Sequence, residues 1–376
     1  MLKEVANVVR GLSADGVEAA GSGHPGMPIG CADIGAVLYG DLMKYDPSEP
    51  KWPDRDRFVL SAGHGSMFLY SFLHLAGYGL ELEQLKNFRQ LGSETPGHPE
   101  YGDTVGVETT TGPLGQGFTN AVGMALAERM MAEKYNTEAN TIVDHFTYTI
   151  LGDGCMMEGI VSEAASLAGH LGLGKMVAIY DDNDISIAGN TELAFTESVA
   201  DRFKAFDWHV IEDVDGHDLD EIKAAIEKAK KVEDKPTLIM AQTHIAFGAP
   251  NKQDTSDAHG APLGEKEIKG LKKEIGLPAD EKFYVPDRVY EYFDKRVKKL
   301  QAERKDWEKS FEEWGQNNPE LKQEWEQAHK LELPVDLKQL LADVDIETPI
   351  STRKASGASL RAIADEVPYL IGGSAD

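Results

Sequence analysis

The sequence predicts an α/β fold, a parallel sheet flanked by helices on both faces, and three observations carry that prediction. Apolar runs of strand length at 146–151, 176–181, 208–214 and 237–242 alternate with helical patterns at 158–171, 197–206 and 219–231, the signature of strands joined by helical crossovers. Gly152-Asp153-Gly154 closes the first of these strands and Asp181-Asp182-Asn183 closes the next. The segment between them, with Ile160, Ala164, Leu167, Ala168 and Leu171 at helical spacing, is long enough to cross between parallel strands. Ligands of such sheets sit beyond the carboxyl ends of the strands, where Asp153 and Asn183 fall.

The elements follow in order. Val5, Val8, Val9 and Leu12 open an amphipathic helix, and the first 45 residues read as two helices split by the turn Gly21-Ser22-Gly23-His24-Pro25-Gly26. A short strand, Phe58 to Leu60, leads through a second glycine and histidine turn into a helix over 65–76. A long loop, 92–112, ends in Gly112-Pro113-Leu114-Gly115-Gln116-Gly117, and a helix runs from there to about Tyr135. After Gly264 the character changes. Residues 285–330 are charged and helical in pattern, with Trp307, Phe311, Trp314 and Trp325 as intermittent anchors. Pro334 and Pro349 punctuate a polar stretch. A new helix starts near Arg353, carrying Leu360, Ile363 and Ala364, and a short strand is expected at Tyr369 to Ile371. The expected division is a first domain over 1–320, a helical linker over 321–352, and the start of a second α/β domain over 353–376. A strand running into Gly372-Gly373 is an odd place for a domain to finish, so the end at Asp376 reads as a truncation or a natural split. No internal repeat or low-complexity tract is evident.

Charge narrows the partners. With 38 basic and 64 acidic residues the net charge is −26, which repels nucleic acid and anionic membranes. The same field repels phosphates, so an anion site here must be made attractive locally, by a metal, histidines or exposed amides. Two cysteines, Cys31 and Cys155, lack any pairing or metal-ligand spacing and suit a reducing cytoplasm. No apolar run approaches the roughly 18 residues of a membrane helix, and the amphipathic N-terminus is not a signal peptide.

Asp153 and Asn183 are hard oxygen ligands of the kind Mg²⁺ prefers when it also carries a diphosphate. Gly-Asp-Gly alone is a common turn, and Asn183 alone fits simple turn chemistry; their shared setting at successive strand ends favours a site. Four histidines sit in glycine- or proline-marked turns: His24, His64, His98 and His259. Singly each reads as a turn residue satisfied by backbone. Together, on loops expected to gather at one sheet edge, they favour ligand contact and proton transfer near neutral pH. His217, in Asp-Gly-His-Asp, reads as structural. Gly112 to Gly117 could cradle a phosphate or bring backbone against a cofactor ring. Its glycine order does not match the dinucleotide fingerprint, so a nicotinamide cofactor is disfavoured. Cys155, Met156 and Met157 read as core residues beside the site.

Taken together, these segments resemble the transketolases. The resemblance rests on Ser22-Gly-His-Pro-Gly-Met-Pro, Ser61-Ala-Gly-His-Gly-Ser-Met, Thr95-Pro-Gly-His-Pro-Glu and Gly106-Val-Glu-Thr-Thr-Thr-Gly-Pro-Leu-Gly-Gln-Gly. It continues through Gly152-Asp-Gly-Cys-Met-Met-Glu-Gly, Tyr180-Asp-Asp-Asn, Asp257-Ala-His-Gly-Ala-Pro-Leu-Gly, Thr352-Arg-Lys-Ala-Ser and Gly372-Gly-Ser-Ala-Asp. These motifs run in family order over the whole chain.

The resemblance implies a thiamine-diphosphate-binding fold: a diphosphate-binding domain, a linker and the opening of a pyrimidine-binding domain. It implies that Asp153, Asn183 and the backbone carbonyl of Ile185 hold Mg²⁺ or Ca²⁺, and that Gly154, His64 and His259 meet the diphosphate. Gly112 and Leu114 are implied at the aminopyrimidine, and Ile187 on the thiazolium. His24 and His98 are implied at the sugar hydroxyls, with His259 also near the reacting carbons. Arg353 matches a residue that grips substrate phosphate, Asp376 one that approaches the cofactor, and Glu158 a glutamate at the subunit interface linked to the partner's activating carboxylate. The implied activity is reversible transfer of a two-carbon ketol unit from a ketose phosphate to an aldose phosphate, in the pentose phosphate pathway of the cytoplasm, by a homodimer. This chain would carry one half of that site, and alone it is expected to be inactive. The alternatives are a related ketolase such as dihydroxyacetone synthase, and a non-catalytic or split-enzyme subunit that needs a complementary chain.

Overall fold

A computed structural model describes residues 1–330 and 333–373. The chain divides into two compact units, Met1–Trp307 and Glu308–Asp376.

The first unit opens with α1 (Leu2–Ala20), in which Val5, Val8, Val9 and Leu12 are fully buried. The helix stops at Gly21, whose left-handed φ of 63° lets its N–H bond back to the Glu18 carbonyl. The expected second helix is broken. It forms α2 (Gly26–Gly30) and α3 (Ala32–Val37), parted at Cys31, where ψ swings to 5°. Strand β1 (Arg57–Leu60), α4 (Ser66–Leu75), α5 (Leu82–Lys86) and α6 (Gln116–Tyr135) follow. Then come β2 (Thr147–Gly152), α7 (Asp153–Met157), α8 (Gly159–Leu171) and β3 (Met176–Asp182). A two-stranded antiparallel ribbon, β4 (Ile185–Ser186) and β5 (Gly189–Asn190), precedes α9 (Val199–Ala205), which Ser198 caps by accepting from the Asp201 N–H. The rest is β6 (His209–Asp215), α10 (Leu219–Ala229), β7 (Thr237–Gln242), α11 (Glu265–Glu274) and α12 (Asp287–Asn317), whose residues after Trp307 belong to the second unit.

The five long strands form one parallel sheet in the order β1-β2-β3-β7-β6. Strand β3 lies at its centre, and its side chains alternate between two cores, as a fully covered strand requires. Val177 and Ile179 join the cluster that contains α1 and α4, while Ala178 and Tyr180 join the one that contains α6 and α8. The register sets Gly152 opposite Asp181, and Asp182 opposite Gln242, so the polar strand ends come level at one edge.

Helix α8 buries a different face from the one its periodicity suggested. Val161, Ala164, Ala165 and Ala168 are inside, whereas Ile160 and Leu167 are 42% and 48% exposed. Both stripes share Ala164 and Ala168, and packing beside α6 and the sheet selects the one with the smaller residues. Gly169 shows how close that packing is: a Cβ there would lie 1.7 Å from the Phe206 carbonyl oxygen.

In the second unit, α13 (Pro319–His329) begins with proline at its first position. Phe311, Trp314, Trp325 and His329 form an aromatic cluster, stacked at Phe311–Trp314 and Trp325–His329 and edge-on between the two tryptophans. The polar stretch expected to be a helical linker contains α14 (Leu337–Ala342), capped by the Asp336 carboxylate on the N–H groups of Lys338 and Gln339. Helix α15 (Thr352–Ala364) is where a helix was expected. The strand expected at Tyr369 to Ile371 is not formed. Leu370 and Ile371 are exposed, and no described strand lends that segment a ladder of hydrogen bonds.

Candidate functional site

Strand β2 ends at Gly152, and the chain turns at once into α7, which makes Asp153 its first residue and buries it. Strand β3 ends in the next position across the sheet and passes Asn183 to the β4–β5 ribbon, which carries Ile185 and Ile187. These residues line one cavity of about 460 Å³ at the carboxyl edge of the sheet, together with His24, His64, Gly112, Leu114, Gly154, Glu158 and His259. Such a volume is that of a small-molecule or cofactor site.

The four turn histidines converge. His24 lies with its ring centroid 5.1 Å from His64, 5.8 Å from His259 and 6.4 Å from His98. Burial lowers the His24 pKa to about 4, reinforced by the charges of His259, Arg89 and His98. Burial likewise lowers His64 to about 3, with His259 next in weight. His98 and His259 are lowered by burial as well. The group is therefore uncharged at neutral pH, and each ring offers one N–H donor and one acceptor. The Nδ1 atom of His24 is buried with no protein partner.

Asp153 shows the same incompleteness in a charged group. The Tyr180 hydroxyl donates to its Oδ1 at 2.5 Å, while Oδ2 is buried without a partner. Burial raises its pKa to about 7; the Tyr180 hydrogen bond pulls the other way, and the charges of Asp181, Asp182 and Asp184 raise it further. A buried carboxylate oxygen without a donor is costly and invites a cation. Asn183 accepts from the Ile185 N–H at 3.1 Å. Among the described residues no group of three or more His, Cys, Asp or Glu could hold a metal. A cation at this edge would thus be held by one carboxylate with amide and carbonyl oxygens, a donor set suited to Mg²⁺ or Ca²⁺ rather than zinc.

Gly112 adopts φ 146° and brings its backbone against the His98 ring, where a Cβ would stand 3.4 Å from the ring carbons. Glu158 is the N-cap residue of α8, exposed at the cavity rim. Met157, expected in the core, is 40% exposed and lines the cavity instead, whereas Cys155 and Met156 are buried as expected. His217 is structural: it lies 3.3 Å from Asp33, and its Nε2 accepts from the His244 N–H. Arg353 lies exposed on α15 of the second unit, and Asp376 lies outside the described residues.

Sequence reasoning missed two contributors. Arg89, held at φ 62°, supplies positive charge beside His24 and His98, yet no motif marks it. Tyr180 was visible in Tyr-Asp-Asp-Asn, but its bond to Asp153 joins adjacent strands and has no signature in the linear order.

A covered parallel sheet with a cofactor-sized cavity beyond its strand ends defines an α/β protein of the cofactor-binding class. Residues 1–334 match the family model described as "Transketolase, thiamine diphosphate binding domain". The chain belongs to the transketolase family. It is 51% identical to transketolase 1 of Escherichia coli K12 over 379 aligned positions, covering 100% of this chain and 57% of that relative. The solved structure of the Leishmania mexicana transketolase superposes with a TM-score of 0.95 at 45% identity, covering 100% of this chain and 56% of that one. A Pichia stipitis transketolase in complex with sedoheptulose-7-phosphate gives a TM-score of 0.94 at 46% identity with the same coverage. The chain thus spans about half the length of the relatives it matches. Among the described residues no helix is long and apolar enough to cross a membrane.

Proposed function

We propose that this chain holds thiamine diphosphate through a divalent cation, Mg²⁺ or Ca²⁺, and contributes one side of a site for ketol transfer between sugar phosphates. The observation that carries the proposal is the unpartnered Oδ2 of Asp153 in a cavity that also contains Asn183, Ile185, Gly154, His64 and His259. When bound, thiamine diphosphate supplies the carbon nucleophile that accepts and returns a two-carbon unit.

The chain's own residues bind, orient and shelter. Asp153, Asn183 and the Ile185 carbonyl are the proposed cation ligands, and the Gly154 backbone with His64 and His259 receives the diphosphate. Gly112 and Leu114 present backbone to the aminopyrimidine, and Ile187 presents its apolar side chain to the thiazolium. His24, His98 and His259, neutral because they are buried, are proposed to bond sugar hydroxyls and carry protons between them. Arg353 is the proposed contact for substrate phosphate, and Asp376 approaches the cofactor in the same proposal.

The proposed domain boundaries are 1–320, 321–352 and 353–376, and the proposed setting is a cytoplasmic homodimer. Exposed Met157, Ile160 and Leu167 beside Glu158 support a partner subunit over that rim. The test is calorimetric titration of thiamine diphosphate into the chain with Mg²⁺ and with chelator. Asp153→Ala should abolish the Mg²⁺-dependent component while far-ultraviolet circular dichroism stays unchanged. Unaltered Mg²⁺ dependence would remove Asp153 from the cation site.

A further inference from the structure

Resting on that reading, we infer that Tyr180 is a positioning residue for the cation: its hydroxyl fixes Asp153 so that one carboxylate oxygen is committed and the other is left for the metal. The geometry is specific. Alternation along β3 turns Tyr180 toward the α6–α8 core, where it is 3% exposed. From there its hydroxyl reaches across to Asp153 on the neighbouring strand end, at 2.5 Å from Oδ1. This is the length of a strong bond from a hydroxyl to a carboxylate. The other oxygen, Oδ2, is equally buried and has no donor.

A carboxylate rotating freely about its last torsion would present either oxygen, or neither, to an ion. Held by one oxygen, it presents the other in a single direction before any ion arrives. Asn183, the second proposed ligand, is tethered as well, its Oδ1 accepting from the Ile185 N–H at 3.1 Å. Hydrogen-bond partners of this kind typically set metal affinity by about 10–100-fold.

The experiment is Mg²⁺ titration into the full chain with saturating thiamine diphosphate, read by calorimetry, beside thiamine diphosphate titration in chelator. Tyr180→Phe keeps the ring and removes only the hydroxyl. It should raise the Mg²⁺ Kd by about 10–100-fold, leave the metal-free cofactor affinity unchanged, and be overcome by excess Mg²⁺. A purely packing role would move both affinities together. Replacement of Tyr180 by 4-aminophenylalanine, which restores a weaker donor of the same shape, should give an intermediate Kd. It also decides the matter if the phenylalanine variant does not fold. A wild-type Mg²⁺ Kd in either folded variant, or equal losses with and without metal, overturns the inference. Asp153→Ala separates the two ideas: if it too keeps the wild-type Mg²⁺ Kd, the cation reading fails, and if it alone loses binding, only the role of Tyr180 fails.

Discussion

The imidazoles of His64 and His259 stack 5.1 Å apart at an interplanar angle of 26°, although one follows β1 and the other lies beyond β7. Two rings so placed cannot both carry charge without repulsion, and burial has already disfavoured the charged form of each.

Acid should therefore destabilise the protein through this group. The folded-state pKa of His64 is lowered from 6.5 to about 3, so between those values the unfolded chain binds the extra proton. Stability is complete above about pH 6.5 and falls as the pH drops toward 3, with His64 contributing a slope of roughly 1.4 kcal/mol per pH unit. In His64→Asn the fall in thermal midpoint between pH 6.5 and 4 should be visibly shallower. A curve parallel to wild type would mean that His64 protonates normally.

Asp153 makes the opposite trade. Its carboxylate is buried with one oxygen unpartnered and its pKa raised to about 7, so its charge opposes folding as the pH rises through that value. Asp153→Asn keeps an acceptor for the Tyr180 hydroxyl and removes the charge. At pH 8 the metal-free variant should melt about 2–5 °C above wild type. A lower midpoint would show that the charge is already compensated within the fold.

His24 and His98 are proposed to serve the sugar rather than the cofactor. In an assembly that carries the rest of the family's length, His24→Ala and His98→Ala should each lower kcat by about 100-fold or more. The thiamine diphosphate Kd should stay within about threefold, a change of less than about 1 kcal/mol, since neither ring is proposed to touch the cofactor. Parallel losses in both would move these rings to the cofactor.

Gly169→Ala tests the packing that brings α8 to the sheet. Alanine gains about 1 kcal/mol in helix propensity, but its Cβ would overlap the Phe206 carbonyl oxygen at 1.7 Å. Only a backbone shift relieves that contact, so denaturant unfolding should register a net loss of more than about 2 kcal/mol. A stabilised variant would mean that the turn after α9 moves freely.

Much of this architecture is legible in the linear order because its signals are local. Strand runs, helical spacing and turn glycines place the alternating elements from β2 to β7, and Asp153 and Asn183 at successive strand ends, to within a residue or two. The errors occur where local signals are degenerate. In α8, Ile160 and Leu167 fit an apolar stripe as well as Val161 and Ala165 do, and only α6 and the sheet select between them. Tyr369 to Ile371 have strand composition, but a strand exists only where another lends it hydrogen bonds.

What the sequence determined by itself is the fold class and which residue types stand at the strand ends and turn tips, because backbone propensity and side-chain period act over a few residues. Only the tertiary structure decided how closely the rings of four histidines from separate turns cluster, that Arg89 lends its charge to His24 and His98, and that Tyr180 holds Asp153 by one oxygen. Those facts depend on strand order and register, which bring distant residues within a few ångströms, and on burial, which turns ordinary imidazoles and a carboxylate into uncharged rings and an unsatisfied acid.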